Sequence, residues 1–442
     1  MLSRLISRLF NTTPPLWLFD CFNTSVLAQL WLDTQKPRAR VFFAPKLLVA
    51  SRGAMHRVLR LLLLGAAVPS FAATFVPAAS PLISWSGRWA VADAAAGSVA
   101  FDMESTSCAF SVVSPGPNAT NVWLEVTLAL PSPTRVGRLS VFMNDYDSQN
   151  LMITQGAGRY LVGANLLPAP ARNNVTVMYT MEPVDSGADA VTRNTPVFLG
   201  FTVEGPGAIV ASAPLARRID VLGDSITAGS MYDHLEAVNG PLSLGTGCGP
   251  WSPPSGYSSG YNWQTYLCRF FRANCTTVAW SGGVLVDPAA LPSGCATRQH
   301  IPQLYRQVFA TDATSVWDFA AASRPDAVIV YLGTNDFGCG VSDALFTATA
   351  VQLVHNITAY YAASPGAAAA THFFLAIGPM SPTRPVGALE AALAQVTAAG
   401  VSASLLNMTS ATLDGCGGHP GPAGHLEMAL QARDQVRAAM GW

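Results

Sequence analysis

The chain has 442 residues, of which 12% are charged and 50% hydrophobic, and its formal net charge is −1. Low charge with high hydrophobicity excludes a disordered protein, and a near-neutral balance without a Lys/Arg run argues against nucleic-acid binding, because phosphate contacts need a basic surface. The length allows two or three domains with a large core. The chain has no uninterrupted apolar run of about 18 residues, so no stable membrane partner is expected.

Residues 55–72 have the pattern of a secretory signal peptide. Arg57 and Arg60 supply the positive start, and a short apolar stretch with small residues at the cleavage positions follows. Because this pattern begins at Met55, we hypothesise that Met55 is the initiator and that residues 1–54 are an unassigned extension. The protein is therefore predicted to be secreted, and an internal signal anchor is the alternative.

Cysteine usage agrees with secretion. Seven of the eight cysteines follow the signal, so at least one thiol is free or pairs between chains. Cys339 and Cys416 flank two loops that the chemistry below singles out, and a disulfide between them or a separate partner for each are both open. Glycosylation sequons, which matter only in the secretory pathway, occur at Asn118, Asn174, Asn274, Asn356 and Asn407.

Residues 74–213 alternate apolar and polar side chains in short runs bounded by Pro, Gly, Asn or Asp. Four of these runs are 122–128, 138–143, 175–179 and 197–203. A period of two with frequent turn residues predicts antiparallel strands, and hence a β-sandwich or jelly roll.

Residues 214–442 alternate apolar segments of strand length with segments of helix length. The predicted strands are 219–222, 276–280, 328–332, 373–377 and 403–406. The predicted helices are 263–273, 314–322, 342–362, 386–399 and 426–440. Nearly all-apolar strands alternating with helices predict a parallel sheet covered on both faces, a three-layer α/β/α domain.

Four strand or turn ends in this region carry the parts of an acyl-transfer site. Ser225 follows the first strand, Gly282 the second, Asn335 the third, and His419 precedes the last helix. Ligands gather at the carboxyl ends of parallel strands. We therefore predict Ser225 as nucleophile and His419 as base, with an oxyanion hole made of the Ser225 and Gly282 N–H groups and the Asn335 amide.

Several neighbouring residues have a simpler structural interpretation. Asp224 and Asp336 are predicted to bind backbone in their turns, and His425 to lie at a helix start. Asn335 has a capping role as its alternative, and Gly283 is the alternative donor to Gly282.

The loop 241–262 and its helical continuation carry four aromatic side chains, Trp251, Tyr257, Tyr261 and Trp263. Aromatic rings on a loop near a catalytic serine can stack on sugar faces, or they can simply pack their own loop. Both alternatives are open.

The four blocks, in this order, resemble the SGNH (GDSL-type) hydrolases. Gly223-Asp224-Ser225 is similar to their first block, Gly282 to the second, 333–336 to the third and His419-Pro420 to the fifth. The resemblance implies a flavodoxin-like parallel sheet and a serine ester hydrolase that needs neither metal nor cofactor.

A narrower resemblance is to the family 2 carbohydrate esterases, which deacetylate sugars and polysaccharides. It rests on residues 217–227, on Trp317-Asp318-Phe319 ahead of the third block, and on the Ser84-Trp85-Ser86-Gly87-Arg88-Trp89 opening. These enzymes put a small β-sandwich before the hydrolase domain, which implies the same role for residues 74–213.

The chain departs from the SGNH pattern before the histidine. Many of these enzymes have an aspartate three residues earlier, and some family 2 esterases have an acid two residues earlier; here Cys416 and Gly417 stand there. Asp414, five residues before His419, is the candidate orienting acid. The resemblance also includes members with a Ser–His dyad, in which a backbone carbonyl holds the imidazole, and we favour that arrangement.

The predicted function is therefore removal of O-acetyl groups from a carbohydrate by a secreted serine esterase. Two alternatives remain: an esterase or lipase of the same fold acting on lipid or aryl esters, and a decayed glycan-binding protein. The acetylated carbohydrate is the one partner predicted, and the oligomeric state is not predicted.

Overall fold

The alternating runs of the amino-terminal part form two antiparallel sheets in the computed structural model, which describes residues 72–114, 120–129, 136–166, 172–182, 195–230, 259–365 and 370–442. The proposed signal peptide and residues 1–54 lie outside the described residues, with the exception of Ala72. Asn118, Cys248, Trp251 and Tyr257 also lie outside them, as does the side chain of Cys416.

Twelve strands within the described residues build the two sheets. They are β1 Thr74–Pro77, β2 Ser84–Ser86, β3 Ala90–Asp93, β4 Ser98–Ala100, β5 Ser107–Val113, β6 Thr120–Ala129, β7 Val136–Met143, β8 Tyr146–Thr154, β9 Gly156–Leu166, β10 Arg172–Tyr179, β11 Thr195–Glu204 and β12 Ala208–Val210. One sheet has the order β3-β4-β11-β6-β9 with β1 on β11, and the other β12-β5-β10-β7-β8 with β2 on β5.

The period-two pattern explains how these sheets pack. Along β10 every second side chain is buried, including Val175, Val177 and Tyr179. These residues share one apolar core with Phe110 from the same sheet and Phe201 from the facing one. The predicted β-sandwich is confirmed, since each sheet turns its alternate side chains inward.

The second half of the chain forms a five-stranded parallel sheet. Its strands are β13 Arg217–Gly223, β14 Ala273–Ala279, β15 Ala327–Tyr331, β16 His372–Ile377 and β17 Ala403–Asn407. They lie in the order β14-β13-β15-β16-β17, which is the flavodoxin-like order and confirms the predicted fold class. The last strand of the sandwich, β12, ends at Val210 and β13 begins at Arg217, so the predicted domain boundary at 213/214 falls between these two strands.

Helices cover both faces of this sheet. They are α1 Ser225–Ala228, α2 Trp263–Phe271, α3 Ile301–Leu304, α4 Thr334–Gly338, α5 Asp343–Tyr360, α6 Val386–Ala398 and α7 Pro422–Met440. Val328 and Val330 of β15 pack with α5 and α6, whereas Ile329 packs with α2 and α7. All five residues of β15 are buried, as the continuous apolar run predicts for a strand covered on both faces. Within the described residues, no helix is long and apolar enough to cross a membrane.

The helix predicted over 314–322 is wrong. This segment consists of turns, in which the Asp312 carboxylate accepts the N–H of Thr314 and the Asp318 carboxylate that of Ala321. Short polar side chains compete for backbone N–H groups in this way, which favours turns over helix.

Residues from the sandwich enter the packing of the α/β half. Arg88 is 1% exposed and donates from Nη2 to the Tyr305 carbonyl at 3.0 Å. Its guanidinium also lies over the rings of Trp317 and Phe319, at 4.4 and 5.2 Å. The Asp102 carboxylate accepts the N–H of Ala310 at 2.8 Å. We refer to these contacts of Arg88 and Asp102 as the interdomain joint.

Candidate active site

The first strand of the parallel sheet delivers Ser225 to its carboxyl edge. β13 ends at Gly223, and Ser225 is the first residue of α1. The Asp224 carboxylate accepts the N–H of Ile226 at 3.1 Å, which confirms its predicted backbone role. A side chain at 223 would place its Cβ 2.1 Å from Thr227 Oγ1, so this tight turn requires glycine.

The structure brings Ser225 and His419 together although 194 residues separate them in the chain. Ser225 Oγ and His419 Nε2 are 2.9 Å apart, and the imidazole is 9% exposed. The N–H of Gly415 donates to the His419 carbonyl at 2.8 Å, which closes the loop that carries the histidine. A hydroxyl in hydrogen-bond contact with a sheltered imidazole is the arrangement that turns a serine into a nucleophile.

Gly282 lies in a turn beyond β14. The Gly283 N–H donates to the Trp280 carbonyl at 2.8 Å, and Gly282 has a φ of 78°. These are the features of a type II turn, which favours glycine at its third position. We call residues 280–283 the oxyanion turn, because it contains the predicted Gly282 donor.

The Asn335 amide joins the oxyanion turn to the Ser225 turn. Its Nδ2 donates to the Gly283 carbonyl at 3.0 Å and lies 3.5 Å from Asp224 Oδ2. The first contact fixes the amide plane, and the second, at the limit of a hydrogen bond, is the weaker of the two. The residue that precedes and caps α4 is Gly333, so the alternative capping role of Asn335 is not what the structure shows.

Two buried carboxyls lie beneath these turns. Asp336 Oδ1 accepts the N–H groups of Leu285 and Val286, both at 2.9 Å, as its predicted structural role requires. Burial raises the pKa of Asp336 to about 6. Burial, with a smaller contribution from Asp336, raises the pKa of Asp224 to about 7.

The structure gives Asp414 a different role from that of an orienting acid. Its carboxylate accepts the N–H groups of Gly421, Ala423 and Gly424 at 2.7, 3.1 and 3.0 Å, and no hydrogen bond joins it to His419. Burial acts to raise the pKa of Asp414, but the backbone N–H bonds outweigh it and hold the pKa below its ordinary value. Asp414 therefore caps α7 from a distance, and this cap lets the helix begin at Pro422 rather than at the predicted residue 426.

His425 lies in the first turn of α7, as predicted, and is fully buried. Its Nδ1 accepts the N–H of Trp263 at 3.2 Å, and burial lowers the pKa of His425 to about 3.

The described aromatic side chains of the 241–263 segment pack within the protein. Trp263 is buried in the core beside α7, so the alternative in which it stacks on a sugar is wrong. Tyr261 packs against Phe142 of the sandwich, so it too packs rather than standing free.

The disulfides settle one alternative. Cys339 pairs with Cys295, so the alternative pairing of Cys339 with Cys416 is wrong. A second disulfide joins Cys268 to Cys275, and Cys108 is a buried free thiol among the described cysteines. The Cys295–Cys339 bond ties the segment after the oxyanion turn to the end of α4, the helix that carries Asn335.

Two charged residues at the oxyanion turn escaped prediction. Glu182, from the end of the sandwich, accepts the N–H of Ser281 at 2.6 Å. The Arg298 side chain lies against Gly282, since a Cβ there would come within 2.4 Å of Arg298 Nη1. Neither residue has a motif or a spacing that links it to the turn, so only the tertiary structure reveals the contacts.

Comparison with known proteins finds a family match in the second half of the chain. Residues 219–432 match the family model of the GDSL-like lipase/acylhydrolases. Cellulase/esterase CelE of Acetivibrio thermocellus is 28% identical over 186 residues, which make up 41% of this chain and 20% of that protein. The chain thus spans about a fifth of the length of this curated relative.

Solved structures resemble nearly the whole described chain. The acetyl xylan esterase Est2A from Butyrivibrio proteoclasticus has a TM-score of 0.65 at 16% identity, covering 84% of this chain and 100% of that one. A family two carbohydrate esterase from Clostridium thermocellum in complex with cellohexaose has a TM-score of 0.63 at 19% identity, covering 81% and 99%. The likeness shows a shared fold, and it extends on both sides of residues 219–432, the part of this chain that matches the GDSL-like lipase/acylhydrolase family model.

Proposed function

We propose that the protein is a serine esterase that removes O-acetyl groups from a carbohydrate. The observation that carries the proposal is the 2.9 Å contact between Ser225 Oγ and His419 Nε2 beside the oxyanion turn. The acetyl xylan esterase and the cellohexaose-bound esterase of the same fold support a carbohydrate substrate.

The geometry supports an acyl-enzyme route. His419 Nε2 takes the proton of Ser225 as Oγ attacks the acetyl carbon, and the carbonyl oxygen becomes an oxyanion. The N–H groups of Ser225 and Gly282 and the Asn335 amide stabilise that charge, and loss of one such donor typically costs ~3 kcal/mol. His419 then protonates the leaving sugar hydroxyl, and water, activated by the same imidazole, releases acetate and restores Ser225.

We propose a Ser–His dyad rather than a triad. The Asp414 carboxylate accepts backbone N–H groups of α7 instead of the imidazole, which supports this assignment. A dyad stabilises the imidazolium less than a triad does, so more of the rate enhancement rests on the oxyanion donors.

Ser225→Ala tests the proposal directly. We expect no release of acetate from an aryl acetate or from acetylated polysaccharides, with an unchanged circular dichroism spectrum, because the variant lacks only the nucleophile. Retention of wild-type rates by a folded Ser225→Ala protein would refute the mechanism. A panel of acetylated polysaccharides, assayed with both proteins, identifies the sugar.

The breadth of the matched family favours a second candidate, an esterase or lipase acting on lipid or aryl esters. Rates on aryl esters of increasing acyl length separate the two, since an acetylesterase prefers the shortest chain. A third candidate, a decayed glycan-binding protein, is favoured by the lack of a hydrogen bond between Asp414 and His419. Labelling of Ser225 by a serine-directed organophosphate excludes it.

We further propose that the protein is secreted, with residues 55–72 as signal peptide. The disulfides Cys268–Cys275 and Cys295–Cys339 support an oxidising compartment. Peptide mass mapping of the natural protein tests this: peptides recovered from residues 2–50 would contradict initiation at Met55.

A further inference from the structure

The last three residues of the oxyanion turn, 281–283, each use the backbone N–H group differently. The Gly283 N–H closes the turn on the Trp280 carbonyl at 2.8 Å, and the Ser281 N–H donates to Glu182 at 2.6 Å. The Gly282 N–H has no hydrogen-bond partner within the described part of the chain, so it is the one left for a ligand. Its direction depends on the two peptide planes that flank it, and Glu182 holds one of them.

Glu182 is well placed to hold that plane rigidly. It is 4% exposed and follows Thr180, whose N–H donates to the Arg138 carbonyl at 3.1 Å. Tyr179 exchanges backbone bonds with the segment 105–106 at 2.8 and 2.9 Å, so the chain that carries Glu182 is anchored in the sandwich. A carboxylate on such an anchor makes a shorter and stronger hydrogen bond than a neutral acceptor does.

A second buried carboxyl, Glu104, lies beside Glu182 and is 1% exposed. Burial, followed by the charge of Glu182, raises the pKa of Glu104 well above its ordinary value. Two adjacent buried carboxyls disfavour each other's ionisation. The geometric anchor of the oxyanion turn is the contact between the Glu182 carboxyl and the Ser281 N–H.

We propose that Glu182 is a positioning residue for the oxyanion hole. The sandwich supplies this side chain, 99 residues before Ser281 in the chain, and its carboxyl holds the peptide group between Trp280 and Ser281. The Gly282 N–H then faces the reacting carbonyl. The inference rests on the proposed esterase function. It gives the sandwich a part in catalysis although the sandwich contributes no reacting atom.

Glu182→Leu and Glu182→Gln are the paired variants that test the proposal. Leucine removes the acceptor at similar volume, and we expect kcat for an aryl acetate to fall roughly 10- to 100-fold at an unchanged KM, because a misdirected oxyanion donor weakens transition-state binding alone. Glutamine keeps an acceptor oxygen, and we expect kcat within about threefold of the wild type. Equal losses in both variants, or an unchanged kcat in folded Glu182→Leu, overturn the proposal.

Ser281→Pro removes the donor instead of the acceptor. Proline fits the second position of a type II turn, so we expect the same loss of kcat with the fold preserved. A fully active Ser281→Pro protein overturns the proposal, and failure of both Glu182→Leu and Ser281→Pro to fold overturns it in favour of a purely structural contact.

Ser225→Ala, assayed in parallel, separates the two levels of inference. If Ser225→Ala stays active, the proposed esterase mechanism itself fails. If Ser225→Ala is inactive while Glu182→Leu keeps the wild-type kcat, only the positioning role fails.

Discussion

At the scale of single residues, the candidate site depends on backbone groups as much as on side chains. Gly282 takes a φ of 78°, and the Asn335 amide is fixed by the Gly283 carbonyl. Motif order predicted that Ser225 and His419 meet, and that Asn335 lies beside the turn of Gly282, because the ends of parallel strands meet at one edge. It did not predict Glu182, because no local pattern connects a sandwich carboxylate to a turn 99 residues away.

Gly282→Ala should impair catalysis more than stability. A Cβ at this φ is strained and meets Arg298 Nη1 at 2.4 Å, so the turn must shift and the N–H is redirected. We expect kcat for an aryl acetate to fall by at least about 100-fold, the effect of losing one oxyanion donor.

Gly294→Ala is the matched control for this substitution. An added Cβ at 294 meets nothing within 4 Å, so we expect wild-type kinetics. Equal rates in the two variants would contradict the role of the Gly282 N–H.

Asp414→Asn should leave kcat within about twofold of the wild type at neutral pH. Asparagine keeps an oxygen for the Gly421 and Gly424 N–H groups, so the cap of α7 persists. If Asp414 oriented the imidazole, the same change would lower kcat by about 10⁴-fold, as in triad enzymes. Steady-state kinetics on an aryl acetate distinguish these outcomes.

At the scale of secondary-structure elements, apolar periodicity predicted all five parallel strands, whereas the helix limits depended on contacts that the pattern does not contain. α7 begins four residues before the predicted start because Asp414 caps it through the loop. α2 ends at Phe271 because Arg272 adopts a left-handed conformation with a φ of 48°. Residues 314–322 have helical propensity in part, but the Asp318 carboxylate accepts the nearby N–H of Ala321 and Trp317 packs against Arg88.

The buried carboxyls at the strand ends should make stability depend on pH. The folded protein holds the Asp224 proton up to a pKa of about 7, whereas the unfolded chain releases it near 3.8. The folded state therefore binds more protons between these values, and the free energy of unfolding falls as pH rises through this range.

Asp224→Asn should remove this component, since asparagine keeps the acceptor for the Ile226 N–H. Urea unfolding at pH 5 and pH 7.5 measures the difference between wild type and variant. Asp318→Asn, in an exposed turn, is the control, and an identical pH slope in all three proteins would contradict the assignment.

The Cys295–Cys339 disulfide should contribute more stability than Cys268–Cys275. The first joins residues 44 apart and the second residues 7 apart, and chain-entropy arguments give on the order of 4 and 2 kcal/mol for such loops. Paired Cys→Ser variants of each bond, compared by urea unfolding, measure both values. A larger loss from the shorter loop would contradict the entropic account.

At the scale of the whole molecule, the interdomain joint makes the two halves one packing unit. Asp220, in the middle of β13, accepts the hydroxyls of Tyr305 and Tyr361 at 2.5 and 3.0 Å. Burial raises the pKa of Asp220, and the charge of Arg88, from the sandwich, acts against that shift. Tyr305 contacts both Arg88 and Asp220, so this network connects a side chain of the sandwich to the parallel sheet.

Arg88→Met should destabilise both halves together. The variant loses the hydrogen bond from the buried guanidinium to the Tyr305 carbonyl, and a hydrogen bond of a charged group contributes about 1.5–3 kcal/mol. We therefore expect one cooperative unfolding transition at a lower urea midpoint. Arg384→Met is the control, because its exposed ion pair with Asp343 contributes at most about 1 kcal/mol. Two separate transitions in the Arg88 variant, or equal shifts in both variants, would contradict the network.

Met103 shows what this joint means for protein engineering. It belongs to the sandwich segment but is buried among Leu222, Val278 and Leu304 of the α/β half. Cutting the chain at the domain boundary would remove this side chain from the interior of the α/β half and leave an apolar cavity open to water. Exchange of the sandwich for another β-sandwich domain therefore has to keep the segment around residue 103, or supply a side chain that fills the same space.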